Sequence, residues 1–210
     1  MPNDELSEEE KLTLASYGRI AAQRQQNHSN PETWRAEFEK FSKLLPSGRV
    51  IDLGCGAGRD AGLLIGGGYD YVGVDLSEAM LTLAHASHPD ADFRLMSLYR
   101  LEFPDAHFDG FWAMTSLIHV PKRNIDRVLG EIRRVVRPGG VGFISMWKGE
   151  GESVVRGWMD GDSRLFVDYQ PGEWAEALVR NGFMVLDSAQ RAFRSSTGRD
   201  LTLLVDYVRA

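Results

Sequence analysis

A short stretch of the chain, Val50–Gly58, joins an apolar run to a glycine-rich loop and has the residue types best suited to chemistry. Its apolar residues are typical of a strand covered on both faces, and they are Val50, Ile51 and Leu53. Glycines then alternate with small residues, at Gly54, Gly56 and Gly58. Glycine adopts backbone angles that other residues avoid and lets a ligand approach the main chain closely. A strand, such a loop and a following helix indicate a nucleotide-type site at the carboxyl edge of a parallel sheet.

Two carboxylates flank this loop. Asp52 lies within the first predicted strand, and Asp75 lies near the end of the next apolar run, Tyr71–Leu76. Because neighbouring parallel strands end at the same sheet edge, Asp75 should lie beside the loop, where a carboxylate accepts hydrogen bonds from both ribose hydroxyls. Asp52 has two interpretations: it helps to hold an amino group of the ligand through water, or it is a structural acid that holds N–H groups of the loop.

The glycine spacing favours an adenosine-bearing cofactor that has no pyrophosphate. A dinucleotide fingerprint, G-x-G-x-x-G, would place its third glycine at Arg59, whereas the chain has Gly58. NAD would also require a helix N-terminus for its phosphates. An NAD-dependent oxidoreductase is therefore the less favoured alternative.

With four motifs in this order, the chain resembles the class I S-adenosylmethionine-dependent methyltransferases. The motifs are Val50–Gly58, Val72–Ser77, Phe108–Ala113 and Arg137–Gly140, and the resemblance runs from about Ser47 to the C-terminus. It implies an α/β fold with a Rossmann-like, doubly wound, seven-stranded and mostly parallel sheet that has one antiparallel C-terminal strand. It also implies S-adenosyl-L-methionine as methyl donor and in-line transfer of the methyl group to a small-molecule acceptor.

The resemblance further implies which residues contact the cofactor. The glycine loop approaches the methionine moiety and adenosine, Asp75 holds the ribose, and the end of the fourth strand passes beneath the sulfonium methyl. Ser97 stands where the family often has an acid at the adenine amino group, and a serine can also hydrogen-bond the base. The expected contacts are Tyr17, Asp52, Gly54, Cys55, Gly56, Gly58, Asp75, Leu76, Met80, Ser97, Leu98, Ala113 and Met114.

His119 is the candidate general base, because it follows the fourth predicted strand near the expected acceptor. Alternatively it packs against or caps the next helix. Tyr17 either lies near the cofactor, as an aromatic residue of the first helix often does in this family, or packs on the core. The five histidines show no metal-ligand spacing with acids or Cys55, so no metal is expected.

Apolar residues at helical spacing predict two helices, about 6–24 and 31–45, before the first strand. The sequence therefore predicts N-terminal helices, 1–46, that cover the cofactor and acceptor site, and a cofactor-binding core, 47–210, within one compact domain. Strands are predicted at about 92–96, 108–114 and 141–147, with a terminal pair at 183–190 and 201–208. A polar, glycine-rich stretch, 148–163, separates the fifth strand from the last helix.

Length and charge limit the function classes. A chain of 210 residues suits one domain. A net charge of −6 argues against nucleic-acid partners, as does the lack of an Asn/Asp-Pro-Pro-aromatic motif after the fourth strand, where Met114–Leu117 stands. The single cysteine, the acidic N-terminus and the lack of a long apolar run predict a cytoplasmic protein that neither enters a membrane nor carries a signal peptide. A monomer or homodimer is expected, and a binding protein of this fold without transfer activity is the alternative function.

Overall fold

A computed structural model describes residues 6–24, 31–156, 163–194 and 200–210 of the chain. The helices are α1 (Glu8–Arg24), α2 (Arg35–Leu44), α3 (Ala61–Gly66), α4 (Glu78–Ser87), α5 (Ile125–Val135) and α6 (Pro171–Arg180). The strands are β1 (Arg49–Leu53), β2 (Asp70–Asp75), β3 (Asp92–Leu95), β4 (Phe108–Met114), β5 (Val136–Lys148), β6 (Glu152–Arg156), β7 (Ser163–Tyr169), β8 (Met184–Arg194) and β9 (Asp200–Arg209). Single 3-10 turns lie at Pro31–Trp34, Leu117–His119 and Lys122–Asn124.

Five parallel strands form the centre of the sheet in the order β3-β2-β1-β4-β5. Strand β9 pairs antiparallel with β5, and β8 pairs antiparallel with β9, so that β8 again runs in the direction of β5. These seven strands contain one antiparallel strand, β9. The predicted Rossmann-like sheet with an antiparallel C-terminal strand is confirmed.

The sheet is larger than predicted, because the stretch after β5 contains a hairpin. Strand β7 pairs with the end of β5 through Trp147 and Lys148, and β6 pairs antiparallel with β7. Leu165 and Val167 of β7 are buried in the same core as the central strands. The polar, glycine-rich residues at 148–152 obscure this hairpin in the sequence.

Apolar side chains that alternate along the central strands pack on both faces of the sheet. In β1, Ile51 and Leu53 pack into one core cluster while Val50 packs into the other, as the two-residue period of a strand requires. Helix α5 covers one face with a buried apolar stripe that includes Val128 and Ile132. The carboxyl ends of these strands are thereby held at one rigid edge.

Helix α1 begins with a reciprocal capping box. The backbone N–H of Ser7 donates to Glu10 Oε2 at 2.9 Å, and that of Glu10 donates to Ser7 Oγ at 3.2 Å. Helix α2 packs elsewhere, with Phe41 edge-on against Trp112. Of the described residues of these two helices, only those of α1 reach the cavity described below.

Every helix in the described ranges is too short or too polar to cross a lipid bilayer.

Candidate active site

A cavity opens at the carboxyl ends of β1, β2, β3 and β4, the edge at which open α/β sheets bind ligands. Helix α1 forms one of its walls. Most residues expected at the cofactor line this cavity together with His119. They are Tyr17, Gly54, Cys55, Gly56, Asp75, Leu76, Met80, Ser97, Leu98 and Met114.

The three loop glycines all have positive φ, but their surroundings differ. A Cβ atom at Gly54 would collide with the Cβ of Ser116. A Cβ atom at Gly56 would meet no atom of the described residues within 4 Å, so the main chain there is open to the cavity. Gly58 packs instead against α4 and β3, where a Cβ would lie 3.2 Å from His88 and from Phe93.

Asp75 is held at the tip of β2 by backbone donors on two sides. Its Oδ2 accepts from the Gly56 N–H at 2.8 Å, and its Oδ1 accepts from the Ser77 N–H at 2.8 Å. Burial raises the pKa of this carboxyl, although both hydrogen bonds favour the charged form. Each carboxylate oxygen keeps a further acceptor position, so Asp75 is able to bind a pair of hydroxyls.

Asp52 is buried within β1 and does not line the cavity. Its Oδ2 accepts a hydrogen bond from the Tyr71 hydroxyl at 3.0 Å. Burial, and after it the neighbouring Asp60 carboxylate, raise the pKa of Asp52 to about 8. Of the described residues expected at the cofactor, Asp52, Gly58 and Ala113 stand outside the cavity lining, with Ala113 fully buried in β4.

Arg59 lines the cavity directly after the glycine loop and was not among the expected site residues. Its guanidinium donates twice to Asp60, from Nε at 2.7 Å and from Nη2 at 2.7 Å. Asp60 also accepts from the Trp112 indole at 3.1 Å, which fixes the pair. The sequence did contain a signal for this residue. Arg59 is a cation at the position where the dinucleotide fingerprint has its third glycine, and a cation there can bind a carboxylate.

Thr115 also lines the cavity and has a φ of 51°, a left-handed conformation that is rare for a β-branched residue. Its N–H donates to Ser145 Oγ at 2.9 Å, which holds the turn. The turn brings Ser116 against Gly54. No pattern in the sequence signals this conformation, since threonine rarely adopts it.

His119 and Tyr17 come together across the cavity from positions 102 residues apart. The Tyr17 hydroxyl lies 2.8 Å from His119 Nε2, and His119 Nδ1 lies 2.6 Å from the carbonyl oxygen of Leu165. Tyr17 and Ala57, a residue of the glycine loop, both pack against a small buried cluster that includes Met80. Both residues thus line the same cavity as the glycine loop and Asp75.

Within the described ranges, no group of three or more histidine, cysteine, aspartate or glutamate side chains is arranged to hold a metal ion.

Comparisons with known proteins match part of this chain. A family model described as a methyltransferase domain matches residues 50–140. The demethylmenaquinone methyltransferase of Symbiobacterium thermophilum is 35% identical over 122 residues, which cover 52% of this chain and 46% of that protein. The chain spans about half the length of the curated relatives it matches.

Solved structures share the fold over most of the chain. The 1,6-didemethyltoxoflavin-N1-methyltransferase of Burkholderia thailandensis, with 1,6-didemethyltoxoflavin and S-adenosylhomocysteine bound, has a TM-score of 0.76 and 21% identity, covering 99% of this chain and 92% of that one. The cyclase SpnF has a TM-score of 0.65 and 20% identity, covering 83% and 79%. At such identities these likenesses establish the fold alone.

The matched segment runs from β1 into β5 and contains the glycine loop, Asp75 and His119. In its motif order, its methyltransferase-domain match over residues 50–140 and its fold, the chain is similar to the class I S-adenosylmethionine-dependent methyltransferases.

Proposed function

We propose that this protein transfers a methyl group from S-adenosylmethionine to a small-molecule acceptor. The observation that carries the proposal is one cavity that the open glycine loop and Asp75 line together with Tyr17 and His119. A donor and an acceptor bound in this cavity would meet within it. Such alignment is the protein's main contribution to a displacement reaction.

The cavity residues suit each part of the donor. The exposed main chain at Gly56 and the Arg59 guanidinium face the place for an amino-acid moiety, while Asp75 is ready for two ribose hydroxyls. Ser97 and Leu98 offer polar and apolar contacts to adenine. The donor supplies a methyl carbon that its sulfonium already activates, so the chain need only position the acceptor and take up its proton.

The walls near His119 support an acceptor that is small and partly apolar. The cavity is lined by Leu14 and Val120 as well as by Tyr99 and His119. The names of the relatives refer to demethylmenaquinone and to 1,6-didemethyltoxoflavin, both of which are ring compounds. We propose His119 as the general base for such an acceptor.

Two experiments test this function in sequence. Calorimetry should detect S-adenosylhomocysteine binding to the protein and no comparable heat with NAD. Incubation with isotope-labelled S-adenosylmethionine and a panel of ring hydroxyl and ring nitrogen compounds should then give labelled product. Tight binding of S-adenosylhomocysteine without transfer to any acceptor would favour a binding protein of the same fold. The cyclase SpnF shares this fold and is named for a different activity. Preference for NAD would favour an oxidoreductase.

We further propose that the protein works in the cytoplasm as a monomer or homodimer, without nucleic acid or membrane partners. Its single cysteine, Cys55, suits a reducing compartment, and its acidic balance disfavours polynucleotides. Light scattering after gel filtration tests the oligomeric state. Co-elution with RNA or sedimentation with lipid vesicles would contradict the proposal.

A further inference from the structure

Glu10 is a buried carboxylate in the wall of the cavity. It lies in the first turn of α1 with 7% of its surface exposed, and the apolar Leu14 and Val120 line the same cavity. Its Oε2 accepts the capping-box hydrogen bond from the Ser7 N–H, and its Oε1 accepts a hydrogen bond from the Tyr99 hydroxyl. Each carboxylate oxygen keeps a further acceptor position, so Glu10 is able to bind a donor in the cavity.

The Tyr99 hydroxyl fixes the direction of the Glu10 side chain. The Asn124 amide donates from Nδ2 to the Tyr99 oxygen at 3.0 Å, so the hydroxyl proton points to Glu10. Tyr99 also lines the cavity. Both groups that donate to Glu10, a hydroxyl and a backbone N–H, are neutral, so neither offsets the negative charge of the carboxylate.

Within the described part of the chain, no lysine, arginine or histidine forms an ion pair with Glu10. Arg123 pairs instead with the neighbouring Glu9, at 3.7 Å. Among the described residues that line the cavity, Arg59 is the one lysine or arginine, and its guanidinium is bound to the carboxylate of the next residue. A buried charge without an opposite charge costs free energy, so a ligand that brings a cation to Glu10 would be stabilised there.

The position of Glu10 on α1 sets it apart from the glycine loop. Tyr17, on the same helix, packs against the same buried cluster as Ala57 of that loop. Glu10 and Tyr17 both line the cavity, but Glu10 lies two helical turns earlier, about 10 Å along the helix axis. The two side chains therefore line the cavity at different levels. The amino-acid moiety of the donor, which we place at the glycine loop, is not the expected partner of Glu10.

We propose that Glu10 is a specificity-determining residue that binds a protonated amine of the acceptor, so that the acceptor is a compound with a partly apolar skeleton and a cationic amino group. This inference rests on the proposed function. The adenine amino group of the donor is neutral and would leave the charge of Glu10 unbalanced, which favours the acceptor as the source of the amine. A protonated nitrogen has no lone pair with which to attack the methyl carbon. The amine is therefore a recognition group, and another atom of the acceptor receives the methyl group.

The test compares benzylamine, which is protonated at neutral pH, with benzyl alcohol, which has a similar size and no charge. Each compound is titrated by calorimetry into protein saturated with S-adenosylhomocysteine. Wild-type protein should bind benzylamine about 10- to 100-fold more tightly than benzyl alcohol, because only benzylamine adds a hydrogen bond between two charged groups. Glu10→Gln keeps the shape of the side chain and a capping-box acceptor, and it should remove this preference.

Glu8→Gln is the matched control, because it removes a negative charge from the same first turn of α1. The Glu8 side chain is 84% exposed and pairs with Lys11 outside the cavity lining. This variant should keep the wild-type preference. Equal affinity of wild type for the two probes, binding of neither, or an equal loss of preference in Glu8→Gln and Glu10→Gln would overturn the inference while leaving the proposed function intact. A wild-type preference in Glu10→Gln would also overturn it.

Two further measurements do not depend on how well the Glu10→Gln protein folds or separate the two possible amines. A wild-type crystal soaked with benzylamine should show the nitrogen at the Glu10 carboxylate, and a nitrogen placed elsewhere overturns the inference. S-inosylhomocysteine carries a ring carbonyl in place of the adenine amino group, and its affinity relative to S-adenosylhomocysteine should be the same in wild type and Glu10→Gln. A difference between the two proteins would assign Glu10 to adenine and overturn the inference. Failure of wild type to bind S-adenosylhomocysteine would instead contradict the proposed function itself.

Discussion

Asp75 is a carboxylate whose direction is set before any ligand arrives. Its two oxygens accept backbone N–H groups from Gly56 and Ser77, so the side chain loses little freedom on binding. We predict that Asp75→Ala weakens S-adenosylhomocysteine binding about 10- to 100-fold, because hydrogen bonds to a charged acceptor are lost. Calorimetry measures the effect. Asp70→Ala, at the exposed start of the same strand, is the control, and unchanged affinity in Asp75→Ala would remove this residue from the site.

Gly56 is open toward the cavity at a φ of 55°. We predict that Gly56→Ala weakens S-adenosylhomocysteine binding, since its methyl group occupies the approach to the main chain. The strain of a positive φ alone costs about 1–2 kcal/mol of stability. Gly68→Ala is the control for that strain, because Gly68 has a φ of 86° and equal open space among the described residues but lies away from the cavity. If both variants lose the same affinity, backbone strain and not blocking of the main chain by the methyl group explains the loss.

Asp52 makes the folding stability depend on pH. Its pKa is about 8 in the folded protein against 3.8 for the free side chain, so the folded state keeps a proton that the unfolded state releases. Stability from this group therefore falls as pH rises from about 4 to about 8. We predict that the loss of unfolding free energy between pH 5 and pH 8, measured by urea unfolding, is smaller in Asp52→Asn than in wild type by at least about 1 kcal/mol. If the unfolding free energy of wild type rises between pH 5 and pH 8 while that of Asp52→Asn stays constant, the burial argument is contradicted.

At the scale of elements, the hairpin β6–β7 holds α1 over the cavity. The Thr13 hydroxyl accepts a hydrogen bond from the buried Leu165 N–H, and removing the hydroxyl leaves this N–H without that acceptor. We predict that Thr13→Val costs about 1–3 kcal/mol in the docking of α1 and speeds hydrogen exchange of α1 amides. Thr82→Val is the control. Like Thr13, whose hydroxyl donates to the Glu9 carbonyl, Thr82 donates to the carbonyl four residues earlier, but it lies exposed on α4. Unchanged exchange in α1 would show that other contacts hold the helix.

Local patterns predicted the elements that carry strong periodicity. The buried run at β1, the glycine loop, the apolar stripe of α5 and the Ser77 cap of α4 all follow from neighbours in the chain. Strand β5 begins earlier than its apolar run, at Val136, because Val136 pairs with Phe108 of β4 before the ladder resumes at Gly110 and Val141. Such pairing depends on distant strands and leaves no local signal.

The same limit applies to the site. The glycine loop and Asp75 lie about 20 residues apart on adjacent strands, so the sequence places them together. The contact of Tyr17 with His119 depends on how α1 docks on β7, which was not recognised as a strand. Thr115 owes its conformation to the fold around it, since its residue type disfavours a positive φ.

At the scale of the whole molecule, one sheet edge brings the glycine loop, the carboxylate of β2 and the turn after β4 into a single cavity, and α1 with the β6–β7 hairpin encloses it. A ligand that binds only the folded chain raises its stability by about 2.7 kcal/mol at a hundredfold excess over its Kd. S-adenosylhomocysteine should therefore raise the melting temperature, and NAD should not.

The most direct measurement is a crystal structure of the protein with S-adenosylhomocysteine. We predict that the ribose hydroxyls bind the Asp75 carboxylate, that the amino-acid moiety lies along Gly54–Gly56, and that the sulfur points toward the space beside Tyr17 and His119. A nucleoside bound elsewhere, or bound in the cavity with its ribose away from Asp75, would contradict it.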